Sequence, residues 1–308
     1  MSTELLARCE ARGLGYQTHA MWRHLPLVPL VVEVSEPGWP CVLDYGEARR
    51  VDPHAPIPTS AEVVFSAETF YDPTLAPRVR AEGGRPVLHV NPEFFVAEEC
   101  RGAELWLPTP WMAPAFDAEI VPVPVERALT PRPTPERPVI LHVQGRPALG
   151  DRNGTSTFYS IAAALGGRFR VRVASQGHVR PGPWEAIGPV RDRWSLYEEA
   201  DLLVLPRRYG GLSLVVQEAM ASGLAVAMTD CPPNDFWPVI RLPARPSGRV
   251  RTKAGHVLCH DVDVGAALAV LRSLTPEAID AAKAAAHRWA LAHTWERLRP
   301  LYEERLCR

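Results

Sequence analysis

The longest strongly apolar run, Leu25 to Val32, holds eight residues, two of them prolines. Elsewhere apolar residues come in still shorter runs bounded by turn residues. In the first half, Val28 to Val34 predicts a buried strand, Glu62 to Phe65 a second and Pro86 to Val90 a third, with shorter ones at Leu105 to Leu107 and Ile120 to Val123. Leu75 to Glu82 predicts a helix ended by Gly83-Gly84. Met1 to Arg12 reads as an amphipathic helix carrying Glu4 and Glu10. In the second half, strands are expected at Val139 to Val143, Phe169 to Ala174, Leu202 to Leu205 and Ala225 to Thr229. Helices are expected at Thr155 to Leu165, Arg193 to Ala200 and Leu212 to Ala221. Thr275-Pro276-Glu277 is a helix start, and the tail to Arg308 reads as helical. Strands alternating with helices over short links imply parallel pairing. The expected fold class is therefore α/β, with two doubly wound Rossmann-like domains and C-terminal helices.

Between the halves, Val121 to Pro138 contains prolines 122, 124, 131, 133, 135 and 138. Proline at this density blocks helix and central strand, so the segment is expected to link a domain of residues 1–130 to one of 131–308. No run approaches the ~20 apolar residues of a spanning helix, and the start lacks the basic, then apolar, pattern of a signal peptide. Hydrophobic residues at 46% and charged residues at 22% are globular values. The six cysteines include no CxxC pair and read as reduced thiols of a cytoplasmic protein. Of the 34 basic residues only Lys253 and Lys283 are lysines, and Pro is abundant at 32. Both biases read as codon usage in a GC-rich genome.

Charge divides with the domains. Residues 1–130 carry a net −8 and residues 131–308 a net +7. A basic second half suits an anionic ligand such as a nucleotide diphosphate, and equally a solvated surface. Two segments favour the ligand. Gly145-Arg146 to Arg152-Asn153-Gly154-Thr155 leaves a strand and enters a helix; its two arginines suit a diphosphate clamp, or else are surface residues with Asp151 as partner. Asp201 to Ala227 reads strand, Gly210-Gly211 loop, helix, Gly223, strand. Its loop offers backbone N–H groups at Gly211, Leu212 and Ser213 beside a helix N-terminus. Glu218, flanked by Val215, Val216, Ala219 and Met220, is a carboxylate that needs a partner. A third segment, Thr229 to Asn234, reads as a cleft wall or an ordinary Pro-rich turn.

Segments one and two resemble the donor-binding half of a GT-B glycosyltransferase of the retaining family 4 type. That family carries an Arg and a Lys six residues apart after the first strand of its second domain; here Arg146 and Arg152 have that spacing. It also carries a Glu, seven residues and a second Glu opening Glu-Ala-Met-Ala-x-Gly. Glu218-Ala-Met-Ala-Ser-Gly223 matches the second part, while Gly210 stands where the first Glu would. The compact length and Asp151-Arg-Asn-Gly-Thr155 resemble short forms from actinobacteria and their phages. The resemblance implies two domains facing a cleft and a nucleotide diphosphate sugar as co-substrate, with no other cofactor and no metal. Arg146 and Arg152 would stabilise the leaving diphosphate, Gly145, Gly210, Gly211, Leu212 and Ser213 would line the donor, and Glu218 would hold the ribose. The sugar would pass, with retention, to a hydroxyl of a small molecule, protein or DNA base.

On the acceptor side, Glu68 and Glu93 follow predicted strands, and His19 and His24 lie near the start. Arg49-Arg50, Arg78, Arg80 and Arg85 are the candidates for a track along DNA phosphates. His256, Cys259, His260 and Asp261 raise a zinc reading, without a second cluster to complete it. The competing functions are a non-catalytic nucleotide-sugar-binding protein and a GT-B-type sugar-nucleotide epimerase.

Overall fold

A computed structural model describes residues 2–34, 40–144, 150–190 and 192–307. It divides the chain into two units, the first comprising Met1–Pro124, Thr252–Gly255 and Trp295–Arg308, the second Val125–Arg251 and His256–Thr294. Each is built on one all-parallel sheet.

The first unit contains β1 (Thr3–Ala7), α1 (Gly13–His24), β2 (Val28–Val32), β3 (Arg49–Val51), β4 (Val63–Ala67), α2 (Leu75–Ala81), β5 (Arg85–His89), β6 (Glu104–Leu107) and β7 (Ala118–Ile120). Its strand order is β3-β2-β1-β4-β5-β6-β7. The opening segment is thus a central strand, not the amphipathic helix expected of Met1 to Arg12. All five residues of β1 are buried, because the sheet is covered on both sides. Leu5 and Ala7 join one face with Phe65, Val87 and Trp106, whereas Leu6 joins the other with Val64 and Leu88. Glu4 is accommodated at the strand's amino end by Arg49 and Thr59.

The second unit contains β8 (Val139–Val143), α3 (Thr155–Leu165), β9 (Arg170–Ala174), β10 (Glu185–Ile187), β11 (Leu202–Leu205), α4 (Leu214–Ala221), β12 (Ala225–Thr229) and β13 (Ile240–Leu242). A two-stranded sheet, β14 (Ala244–Thr252) with β15 (Gly255–Val262), follows, then α5 (Val264–Ser273) and α6 (Pro276–Ala292). The strand order of the main sheet is β10-β9-β8-β11-β12-β13. Ile140, Val171, Val204 and Ala227 pack under α3 and α5, and Leu141, Leu203, Val226 and Met228 under α4 and α6. Over Arg193–Leu196 the chain makes only a 3-10 turn capped by Asp192, not the helix expected to Ala200.

The expected linker is docked rather than free. Val125 bridges to Thr294, and Leu129 N–H donates to the Ala221 carbonyl. The division therefore falls between Pro124 and Val125, ahead of the expected residue 130. The last helix, α7 (Trp295–Leu306), belongs to the first unit rather than to the domain of residues 131–308. Trp295, Tyr302 and Leu306 are buried with Phe65 and Trp106, and the Tyr302 hydroxyl donates to the Pro122 carbonyl at 2.9 Å. A buried ion pair closes the second unit: Lys283 Nζ of α6 lies 2.9 Å from Asp201 Oδ1, whose Oδ2 accepts from Val139 N–H.

Cys9 and Cys41 are bonded as a disulfide, against the expectation of six reduced thiols; Cys100, Cys231, Cys259 and Cys307 are free. The spacing of 32 residues hid the pair, which the return of the chain after β2 brings together. Among the described residues no helix is long and apolar enough to cross a membrane.

Candidate functional site

Doubly wound sheets bind ligands outside the carboxyl ends of the strands, where the winding reverses. In the second unit that point lies between β8 and β11, and both arginine-bearing segments emerge there. Gly145 and Arg146 lie outside the described residues. The remainder of their loop is held firmly. Asp151, at φ 53°, accepts from Thr155 N–H at 2.6 Å and Ser156 N–H at 3.0 Å, so its carboxylate caps α3. Arg208 N–H donates to the Arg152 carbonyl at 2.9 Å. A Cβ at Gly154 would fall 1.9 Å from the Pro206 carbonyl oxygen, so this close approach of two loops requires glycine. Beneath them, the buried His142 ring lies 3.0 Å from the Val204 carbonyl through Nδ1 and 3.0 Å from Thr155 Oγ1 through Nε2. A carbonyl only accepts, so Nδ1 carries the proton and Nε2 accepts from the hydroxyl. Burial holds this imidazole near pKa 4, hence neutral.

The loop after β11 carries the cations. Arg208 is committed to Asp261, at 2.7 Å, and to the Gly150 carbonyl. Arg207 is buried, and its Nη1 donates to the Gly211 carbonyl at 2.7 Å. Gly210 has φ 117°, and a Cβ there would lie 2.4 Å from Arg207 Nη2, 2.6 Å from Arg152 Nη2 and 2.7 Å from Arg152 Nε. Two guanidiniums thus occupy the space a side chain at 210 would need. Arg152 also lies over the Tyr209 ring, 5.9 Å from its centroid. Ser213 is the N-cap of α4, and its own side chain makes no capping hydrogen bond among the described residues.

Glu218 sits in the second turn of α4, 15% exposed at its side chain. The Tyr197 hydroxyl donates to its Oε2 at 2.8 Å, and Arg193 Nε lies 3.4 Å from Oε1. Burial raises its pKa, with Arg193 opposing. Arg193 also pairs with Glu126, and Arg127 stacks 4.1 Å over Trp194. The partners expected for a mid-helix carboxylate are present, and the carboxylate retains acceptor capacity beyond them.

In the first unit the winding reverses between β1 and β4. Glu68 follows β4 at φ 66° and accepts from Asn91 Nδ2 at 2.9 Å; Tyr71 is also left-handed, at φ 65°. Two such non-glycine residues within four positions are backbone strain of the kind that gathers at functional sites. Glu93 is buried, 3.4 Å from the same Asn91 nitrogen. Asn91 Oδ1 is buried without a hydrogen-bond partner among the described residues. Arg8 and Glu10, after β1, are also buried and form a fork-like pair at 2.5 and 3.0 Å, with Arg8 5.5 Å over the Tyr71 ring. Burial pushes the Tyr71 hydroxyl up to about 12. Arg8, Glu10, Tyr71 and Asn91 escape sequence reasoning; the two acid–base partners after β1 were hidden by reading that strand as helix.

Other candidates resolve into structure. His19 contacts the Asp44 carbonyl and packs on Trp22 and Tyr45, and His24 stacks on Trp295 at 4.7 Å. Arg49, Arg50, Arg78 and Arg85 each pair with a carboxylate, of Glu4, Glu33, Asp72 and Glu104, which weakens them as a phosphate track. In the Thr229 to Asn234 turn, Asn234 Nδ2 donates to the Thr229 carbonyl. Asp261 of the zinc candidates serves Arg208, and among the described residues no group of three or more His, Cys, Asp or Glu is placed to hold a metal.

Residues 164–237, which include the Gly210 loop and α4, match the family model for glycosyl transferases group 1. No curated protein matches the sequence. Sucrose-phosphate synthase from Thermosynechococcus elongatus is similar in structure, with TM-score 0.70, 12% identity and full coverage of both chains. A glycosyltransferase from Rickettsia africae ESF-5 aligns at TM-score 0.64 and 10% identity over 99% of this chain and 97% of its own. The protein described as trehalose-6-phosphate from E. coli, bound with UDP-2-fluoro glucose, aligns at 0.63 and 11% over 99% of each chain. At these identities the likeness establishes the fold, the two-domain α/β arrangement called GT-B.

Proposed function

We propose that the chain is a GT-B glycosyltransferase, of the retaining family 4 type in a short phage-like form. It moves a hexosyl or pentosyl group from a nucleotide diphosphate sugar to an acceptor hydroxyl. The observation that carries this reading is the Arg152 guanidinium beside Gly210 at the start of α4, at the winding reversal of the second sheet. Breaking the sugar–phosphate bond leaves negative charge on the diphosphate. A fixed guanidinium and backbone N–H groups of Gly211, Leu212 and Ser213 stabilise that charge most as it develops, which lowers the barrier. Arg146 belongs to the same loop as Arg152 and supplies the second positive charge. With arginines in this role the reaction needs no metal and no further cofactor. Glu218 holds the ribose diol through the lone pairs that Tyr197 and Arg193 leave available. On the acceptor side, Glu68 orients the incoming hydroxyl, with Asn91 and Glu93 beside it. The acceptor is a small molecule, a protein or a DNA base.

The test is a thermal-shift panel of nucleotides and nucleotide sugars, followed by turnover with the donor that binds. A ligand specific to the native state raises Tm by mass action. Arg146→Ala is expected to abolish the shift and lower turnover by about 10²–10³-fold, with an unchanged circular dichroism spectrum. Full turnover in Arg146→Ala would refute the role. Binding without transfer to any acceptor would mark a nucleotide-sugar-binding protein, and acceptor-free conversion of the sugar an epimerase.

A further inference from the structure

Arg207 has no place in the donor set read from sequence, yet its geometry is the more constrained of the two arginines at Gly210. Only 3% of the residue is exposed, and its Nη1 is fixed on the Gly211 carbonyl of its own loop. Its Nη2 lies 2.4 Å from the point where a residue-210 side chain would begin. Arg152, from the loop after β8, places Nη2 2.6 Å and Nε 2.7 Å from the same point. Two loops pinned by the Arg208–Arg152 backbone bond and by the contact at Gly154 therefore deliver two forks to one place. Neighbouring Arg208 turns elsewhere, onto Asp261. Guanidiniums converging on one point beside a helix start favour a multivalent oxyanion, which a guanidinium fork can meet with two hydrogen bonds.

We propose that Arg207 is a diphosphate-binding residue: with Arg152 it forms a single anion seat at Gly210 that takes the diphosphate of the nucleotide donor. This rests on the donor reading above and extends it to a residue outside the Arg146–Arg152 pair. It also gives Gly210 a role. The missing side chain leaves room for two guanidiniums, so the site exchanges a side chain for positive charge.

The experiment measures, by calorimetric titration of the full chain, affinities for UDP, GDP, ADP and dTDP, their monophosphates and inorganic pyrophosphate. Variants are Arg207→Gln and Arg207→Lys, with folding checked by circular dichroism and Tm. The wild type is expected to prefer one nucleoside diphosphate over its monophosphate by ten-fold or more. Arg207→Gln should lose most of that preference while its monophosphate affinity stays within two-fold. Arg207→Lys, which keeps the charge and the approximate volume but not the fork, should fall between; it decides the matter if the Gln variant fails to fold. A folded Arg207 variant with an unchanged preference overturns the seat and leaves the donor reading standing. Wild-type binding of pyrophosphate but of no nucleotide overturns the donor reading and leaves the seat. Binding of neither overturns both.

Discussion

Gly154 illustrates how one absent side chain fixes the relation of two loops. Its φ of 66° and the 1.9 Å clearance to the Pro206 carbonyl oxygen exclude any Cβ. Gly154→Ala is expected to cost on the order of 2 kcal/mol or more, read as a lower denaturant midpoint. If the reading of the site holds, turnover falls as well, because the displaced loop carries Arg152. An unchanged midpoint would show that the loops separate freely. Sequence legibility at this scale was uneven. Glu218 announced itself as a charge among apolar neighbours, and it does have a phenol and a guanidinium beside it. Arg207 and Arg208 were indistinguishable as adjacent arginines. Only the path of the β11–α4 loop buries the first and turns the second toward Asp261.

At the scale of elements, hydrophobic pattern served best where a strand is almost wholly apolar, as in β8, β11 and β12. It failed for β1, where Thr3 and Glu4 at the amino end and Arg8 just beyond mimic a polar helix face. The pattern records which residues are apolar, but a central parallel strand buries both faces whatever the polarity of its ends. Lys283 shows the energetic side of long-range packing. It joins α6 to Asp201, which in turn satisfies Val139 N–H at the start of β8. Lys283→Ala removes one partner of a buried pair and is expected to destabilise the second unit by about 3–5 kcal/mol, measured by chemical denaturation. A loss below 1 kcal/mol would mean that Arg132, 3.3 Å from Asp201, suffices as the counter-charge.

Each unit, and so the whole molecule, carries a buried neutral histidine, His89 in the first and His142 in the second. Burial holds each near pKa 4. Unfolded, an imidazole takes its proton near 6.5. Between pH 6.5 and 4 the unfolded chain therefore binds more protons than the folded one, and stability falls as the pH falls. Above that window the stabilisation is fully present; the loss is on the order of 3 kcal/mol per histidine. Calorimetry from pH 7.5 to 4 should show falling Tm for both units, and His142→Asn should flatten the fall in the second alone. A flat wild-type profile would contradict the buried neutral state. Trp295, in α7, tests the assignment of the tail. Trp295→Ala is expected to cost about 3–5 kcal/mol and to lower the transition of the first unit while sparing that of the second.

The sequence by itself determined the α/β class, the doubly wound second half, and the two segments that carry Arg152 and Glu218. These rest on local signals: apolar runs of strand length, glycine turns and helix starts. Tertiary structure alone decided that the first residues form a central strand, that α7 serves the first unit, that Cys9 meets Cys41, and that Arg152 and Arg207 converge on Gly210. Each joins residues far apart in the chain, and such pairings follow from strand order, loop path and burial, which no local window of sequence contains.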